Sequence, residues 1–171
     1  MGTWSAKLKT KTRWLLNKSM LEIIIIAIGK VKNEFFAGAI NEYLVRLKPY
    51  ASVKILELSP EPFTESNRDK AKKAEGERIM AVLEKYSGES VVLLHERGKE
   101  IDSVKLSEKL AATNKTVFVI AGALGFDEQV LAKYNQLSLS KMTFPHEMAR
   151  LILLEQVYRA TTIIKGKTYH Y

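Results

Sequence analysis

The 171-residue chain contains no cysteine, which excludes a disulfide framework, a thiolate metal site and a thiol nucleophile. That absence suits a reducing compartment, and a cytoplasmic setting is expected. Its three histidines, His95, His146 and His170, are scattered and form no HxxxH or HExxH pair, so their spacing argues against a zinc enzyme. No apolar run approaches the roughly 18 residues that a membrane span requires. The longest aliphatic stretch, Ile23 to Ile26, is strand-sized, and no membrane partner is expected. Neither GxGxxG nor a complete P-loop (GxxxxGKS or GxxxxGKT) is present, which disfavours the common phosphate-cradling sites.

Acidic residues are missing from the first 19 positions, "MGTWSAKLKTKTRWLLNKS". Five of the net +8 charges sit there, which leaves only +3 for the rest of the chain. A strand-like run starts immediately after Met20, so residues 1–19 are expected to be an extension or misassigned start outside the fold. Residues 20–171 form the folded unit in this reading. With 46% hydrophobic and 27% charged residues, that unit has the composition of one globular domain. Its mild positive charge permits RNA binding without demanding it.

Strand and helix signals alternate along the chain. "LEIIIIAI" is a continuous β-branched run closed by Gly29, the mark of a strand covered on both faces. A helix follows, with Asn33 as its cap and Phe36, Ile40, Tyr43, Leu44 and Leu47 at helical spacing. "SVKILELS", "SVVLLHE", "KTVFVIAG" and "QLSLS" read as four further strands. Between the second and third lies a charged helix whose Lys/Arg run reads as a solvated face. "RGKEIDS" reads as a loop, with short helices near Val104 to Thr113 and after "ALGFDE". The last helix starts with Pro145 in its first turn and stops near Gly166. This is an α/β single domain, with a mainly parallel sheet and helices on both faces. The final helix carries Met148, Leu151, Ile152, Leu153, Leu154, Val157 and Tyr158, more apolar positions than one stripe holds. A subunit interface that hides Leu151, Leu153 or Leu154 is therefore expected.

In parallel sheets, ligands gather beyond the carboxyl ends of the strands. Three loops qualify: "HERGKE", "AGALGF" and "SLSKMTFPHE". The third sets the small hydroxyl residues Ser138, Ser140 and Thr143 beside Leu139, Met142 and Phe144, a mixture that suits a flat heteroaromatic ligand. Thr143 is also placed to satisfy free amides ahead of Pro145. Glu155 and Arg159 stand i,i+4 in the favourable order.

"LSLSKMTFPH", "EQVYRA" and the terminal "YH" together closely resemble the RlmH (YbeA) family of SPOUT-class methyltransferases. The resemblance is detailed from Val117 to Tyr171 and looser from Met20 to Lys99. It implies a C-terminal trefoil knot, a homodimer with active sites at the interface, and S-adenosyl-L-methionine as methyl donor. The implied reaction is methylation of N3 of a pseudouridine in 23S ribosomal RNA, within the ribosome. Matched residue by residue, the implied cofactor contacts are Leu94, Ala121, Gly122 and the run Leu139, Ser140, Lys141, Met142, Thr143 and Phe144. The family usually has two glycines where this chain reads Ala121-Gly122, so one approach is narrowed by a methyl group. The tail pair Tyr169-His170 matches the family's target-base site.

The chemistry of such a transfer needs alignment of donor and nucleophile, exclusion of water, and removal of a proton from a ring N–H. His170 is the titrating group expected there, Tyr169 a stacking platform folded back over the cofactor loops, and Arg150 or Arg159 a counter-charge. A different class of reading is a non-catalytic α/β dimer that binds RNA or a ribosomal partner through the same groove.

Overall fold

A computed structural model describes residues 20–170; the expected extension at 1–19 and Tyr171 lie outside the described residues. Five strands, β1 (Leu21–Ile28), β2 (Ala51–Leu58), β3 (Ser90–Glu100), β4 (Lys115–Ile120) and β5 (Asn135–Ser138), form one sheet in the order β2-β1-β4-β3-β5. All four pairings are parallel. The helices are α1 (Glu34–Leu47), α2 (Arg68–Leu83), α3 (Ser103–Ala111), α4 (Glu128–Lys133) and α5 (His146–Ile164). Among the described residues no helix is long and apolar enough to cross a membrane.

The β-branched run of β1 is buried from Ile23 to Ile28 because both faces of the sheet are covered. On one face Ile23, Ile25, Phe118 and Ile120 pack against Ile40 and Leu47 of α1, Leu106 and Leu110 of α3, and Leu153, Leu154 and Val157 of α5. On the other, Ile24, Ile26, Val117 and Val119 meet Ile79 and Leu83 of α2 and Val130 of α4. Crossovers toward the β2 edge use α1 and α3; those toward the β5 edge use α2 and α4. Opposite directions on opposite faces is what a single crossover hand produces.

Local signals set most helix boundaries. Asn33 caps α1 by accepting from the amides of Phe35 (2.9 Å) and Phe36 (3.4 Å), as its position suggests. Asp102 and Asp127 do the same for α3 and α4. Helix α5 ends on Gly166, which has φ +62°. There Lys167 N–H bonds Thr162 O, and Gly166 N–H bonds Ile163 O, the paired bonds of a Schellman stop. One expectation shifts. Pro145 precedes α5 at the cap position, and no side chain, Thr143 included, caps that helix. The Lys/Arg run of α2 is solvated as expected, with Arg68, Lys70 and Lys73 exposed, but on the inner face of the same helix Glu75 is 3% exposed.

Candidate active site

The loop after β3 departs most from its sequence reading. "RGKE" belongs to β3, but the ladder slips: Leu94 and Lys99 both pair with Leu137 of β5. Residues 95–98 are thereby extruded from the sheet as a bulge. Gly98 makes the return possible. A Cβ there would lie 2.7 Å from both the N and C atoms of Leu137, so the backbones touch as only glycine allows.

Across from this bulge stands the loop after β5. It is shaped by its own hydroxyls: Ser138 Oγ donates to Ser140 O (2.8 Å), and Ser140 Oγ accepts from Met142 N–H (3.1 Å). The two loops flank a small open cleft of about 90 Å³ lined by Leu94, His95, Glu96, Leu139, Ser140, Met142, Thr143, Phe144 and Ala149. Leu94, Leu139, Phe144 and Ala149 offer apolar walls, and Ser140 and Thr143 offer hydroxyls, a lining suited to an adenosyl group. A larger groove of about 380 Å³ runs under α3, past Ser90, Thr116 and Asn135. Ser90 and Asn135 open β3 and β5 and Thr116 is the second residue of β4, so this groove lies at the amino ends of the strands, where this class of sheet does not place its ligands.

Six of the nine implied cofactor residues therefore share one cleft: Leu94, Leu139, Ser140, Met142, Thr143 and Phe144. Lys141 is exposed beside it and does not line it. Ala121 and Gly122 also lie off the lining. Ala121 packs with the α2/α4 core. A Cβ on Gly122 would meet Ile28 Cγ2 at 2.8 Å and Glu75 Oε2 at 3.4 Å, so the glycine serves a close packing of α2 on β1. His95, Glu96 and Ala149 are lining residues that the motif match did not include. Their signal was adjacency: two follow Leu94 directly, and one lies on the first turn of α5.

The start of α5 is tied to the loop after β1. Glu147 accepts from the amides of Lys32 (3.2 Å) and Asn33 (3.1 Å), and these bonds hold its carboxyl below the usual range. Arg150, expected as a counter-charge, is 1% exposed. Its guanidinium pairs with Glu57 at 2.5 Å and donates to Gly29 O at 2.9 Å. It is a buried strut joining α5 to β1 and β2, with no face turned to the cleft.

The tail lies at the opposite end of α5. Tyr169 meets Tyr158 edge-on, with ring centroids 4.8 Å apart, and the Arg159 guanidinium sits 4.8 Å over its ring. Its hydroxyl donates to Glu155 at 3.3 Å. Arg159 in turn donates twice to Glu155, at 3.0 and 2.7 Å. The neighbouring Tyr43 hydroxyl first, then burial and the Glu155 charge, push the Tyr169 phenol up to about 12. His170 is exposed. Nine residues of α5 separate Ala149 at the cleft from Tyr158 at the tail, about 14 Å along the axis. Within one protomer the tail therefore does not fold over the cofactor loops.

Comparison with known proteins adds to this geometry. A family model described as "Predicted SPOUT methyltransferase" matches residues 21–170. The chain is 43% identical over 157 residues to the Ribosomal RNA large subunit methyltransferase H of Kosmotoga olearia, covering 88% of this chain and all of the relative. It is 41% identical over 160 residues to the protein of the same name from Carboxydothermus hydrogenoformans, covering 88% and 99%.

Proposed function

Since the chain belongs to the SPOUT methyltransferase family, we propose that it methylates large-subunit ribosomal RNA, at N3 of a pseudouridine, with S-adenosyl-L-methionine as donor. The observation that carries this reading is the cleft itself, where two loops distant in sequence bring together six of the residues that the family pattern assigns to the cofactor. When bound, S-adenosyl-L-methionine supplies a methyl group already activated on a sulfonium. Leu94, Leu139 and Phe144 would clamp the adenosyl rings, while Ser140, Thr143 and nearby backbone groups would orient them. The methyl would then stand in line with the attacking ring nitrogen.

The tail serves the target nucleotide, in this reading, across a homodimer. The separation of about 14 Å along α5 leaves His170 remote from its own cleft and free to complete that of a second copy. Surfaces for such a pairing remain on each protomer: α1 shows Phe35, 89% exposed, and Val45, while Leu151 and Ile152 of α5 are only partly covered. His170 would accept or relay the ring proton. Arg159, held at the tail by Glu155, would offset the charge that builds on the base. Tyr169 would place the tail and offer a ring face for stacking, worth roughly 1–3 kcal/mol. Action on the ribosome agrees with a cytoplasmic setting, and the C-terminal knot that the family implies would frame the cofactor loops.

The test is transfer of a labelled methyl group to ribosomes by the purified protein and by a chain ended after Lys167. Transfer by the full chain, reduced at least about a hundredfold in the shortened one with folding retained, supports both cofactor and tail roles. Equal rates would remove the tail from the active site, and no transfer by the full chain would overturn the whole reading.

A further inference from the structure

We infer that Glu96 gives the cofactor cleft a negatively charged wall that selects the cationic methyl donor over its uncharged thioether product. The inference rests on the cofactor reading above and adds a specificity-determining residue to it. Of the residues that line the cleft, Glu96 alone carries a formal charge at neutral pH when His95 is neutral. The register slip puts it there. Because Leu94 and Lys99 share Leu137 as partner, His95 and Glu96 leave the ladder and turn toward the loop of Ser140 and Thr143.

His95 stands beside the carboxylate. Its Nδ1 accepts the Arg97 backbone N–H at 3.4 Å, so the neutral ring carries its proton on Nε2. That nitrogen faces Glu96 Oε2 at 3.6 Å, and Phe126 flanks the ring with centroids 6.3 Å apart.

The donor carries a sulfonium in addition to the opposed charges of its amino-acid end, so it is net positive. Loss of the methyl group leaves a thioether with no net charge. A carboxylate in the wall separates the two by Coulomb attraction alone, which favours loading of fresh donor and release of spent product. The Glu96 side chain is 38% exposed, so the screened, water-like interaction applies. At about 4 Å that is a factor of about five in affinity.

Calorimetry on the full-length protein tests this, with S-adenosylmethionine and S-adenosylhomocysteine as probes for the parent, Glu96→Gln and Glu96→Asp. The expected result is a roughly fivefold weaker Kd for S-adenosylmethionine in Glu96→Gln, with S-adenosylhomocysteine unchanged. Glu96→Asp should keep the parent preference, and added salt should shrink the difference. An equal loss for both probes would show that Glu96 bonds a part common to both, and no loss for either would show that it faces no ligand; each overturns the charge selection. A parent that binds neither probe would instead overturn the cofactor reading, and this inference with it.

Discussion

Replacing Gly98 by alanine tests how the cleft is built. The added Cβ would lie 2.7 Å from Leu137 N and C and 2.8 Å from Gln136 C, against roughly 3.5 Å for an ordinary carbon contact. All three obstacles are backbone atoms of β5, so no rotamer change can relieve the overlap. Overpacking of this kind costs about 1–3 kcal/mol, and a clash with three fixed atoms belongs at the upper end, near 3 kcal/mol. For a domain of this length that corresponds to a fall of about 6–12 °C in Tm. Gly38 provides the control: it lies inside α1, and a Cβ there meets nothing within 4 Å. Gly38→Ala should therefore gain about 0.5–1 kcal/mol from helix propensity. Thermal melting of both variants, with and without S-adenosylmethionine, is the assay. Gly98→Ala should also bind the ligand more weakly, because β3 can return to β5 only by moving the bulge that carries His95 and Glu96. A Gly98→Ala protein that melts within about 1 °C of the parent would refute the slipped register.

Three further outcomes follow from particular side chains. The Tyr169 phenol, raised to about 12, favours the neutral form in the fold; its contribution should be present below pH about 10 and lost as pH rises toward 12. Ultraviolet titration of the parent against Tyr169→Phe reads this directly. Burial raises the Glu75 carboxyl, whose Oε2 has no partner, while Oε1 accepts Glu61 N–H at 3.0 Å. A raised carboxyl loses stability as pH climbs above its ordinary value, so Glu75→Gln should stabilise by an amount on the order of 1 kcal/mol at pH 7, with no gain near pH 4, in urea melts. Leu153 and Leu154 are 0% exposed inside the protomer, whereas Leu151 is partly covered, so Leu151→Glu is the cleaner probe of assembly. Light scattering should show a dimer for the parent and a folded monomer with little methyl transfer for this variant.

The sequence and the structure part company where tertiary contacts outweigh local signals. Periodicity located every strand and helix of the sheet, since Ile23 to Ile28, the Asn33 cap and the Gly166 stop are local matters. The extruded bulge at 95–98 was not visible in that way. Gly98 reads as an ordinary turn glycine until Leu137, 39 positions later, is seen against it. Arg150 looked available because helix position alone does not reveal that Glu57 of β2 and Gly29, just past the end of β1, close around it. That Gly122 lies off the cleft lining, with Ile28 close against the place a Cβ would take, depends on the packing of α2 on β1 and not on its own neighbours in sequence. The loop of Leu139 to Phe144 was legible, because its alternation of hydroxyl and apolar residues is itself the chemistry of the cleft.

The most direct test of the central claim is nucleoside analysis of ribosomal RNA after reaction. Ribosomes that lack the modification would be incubated with the purified protein and S-adenosylmethionine, and the digested large-subunit RNA examined by mass spectrometry. The account predicts one new nucleoside, N3-methylpseudouridine, in the large-subunit RNA of treated ribosomes. Methylation of a different nucleoside, or of small-subunit RNA alone, would contradict it.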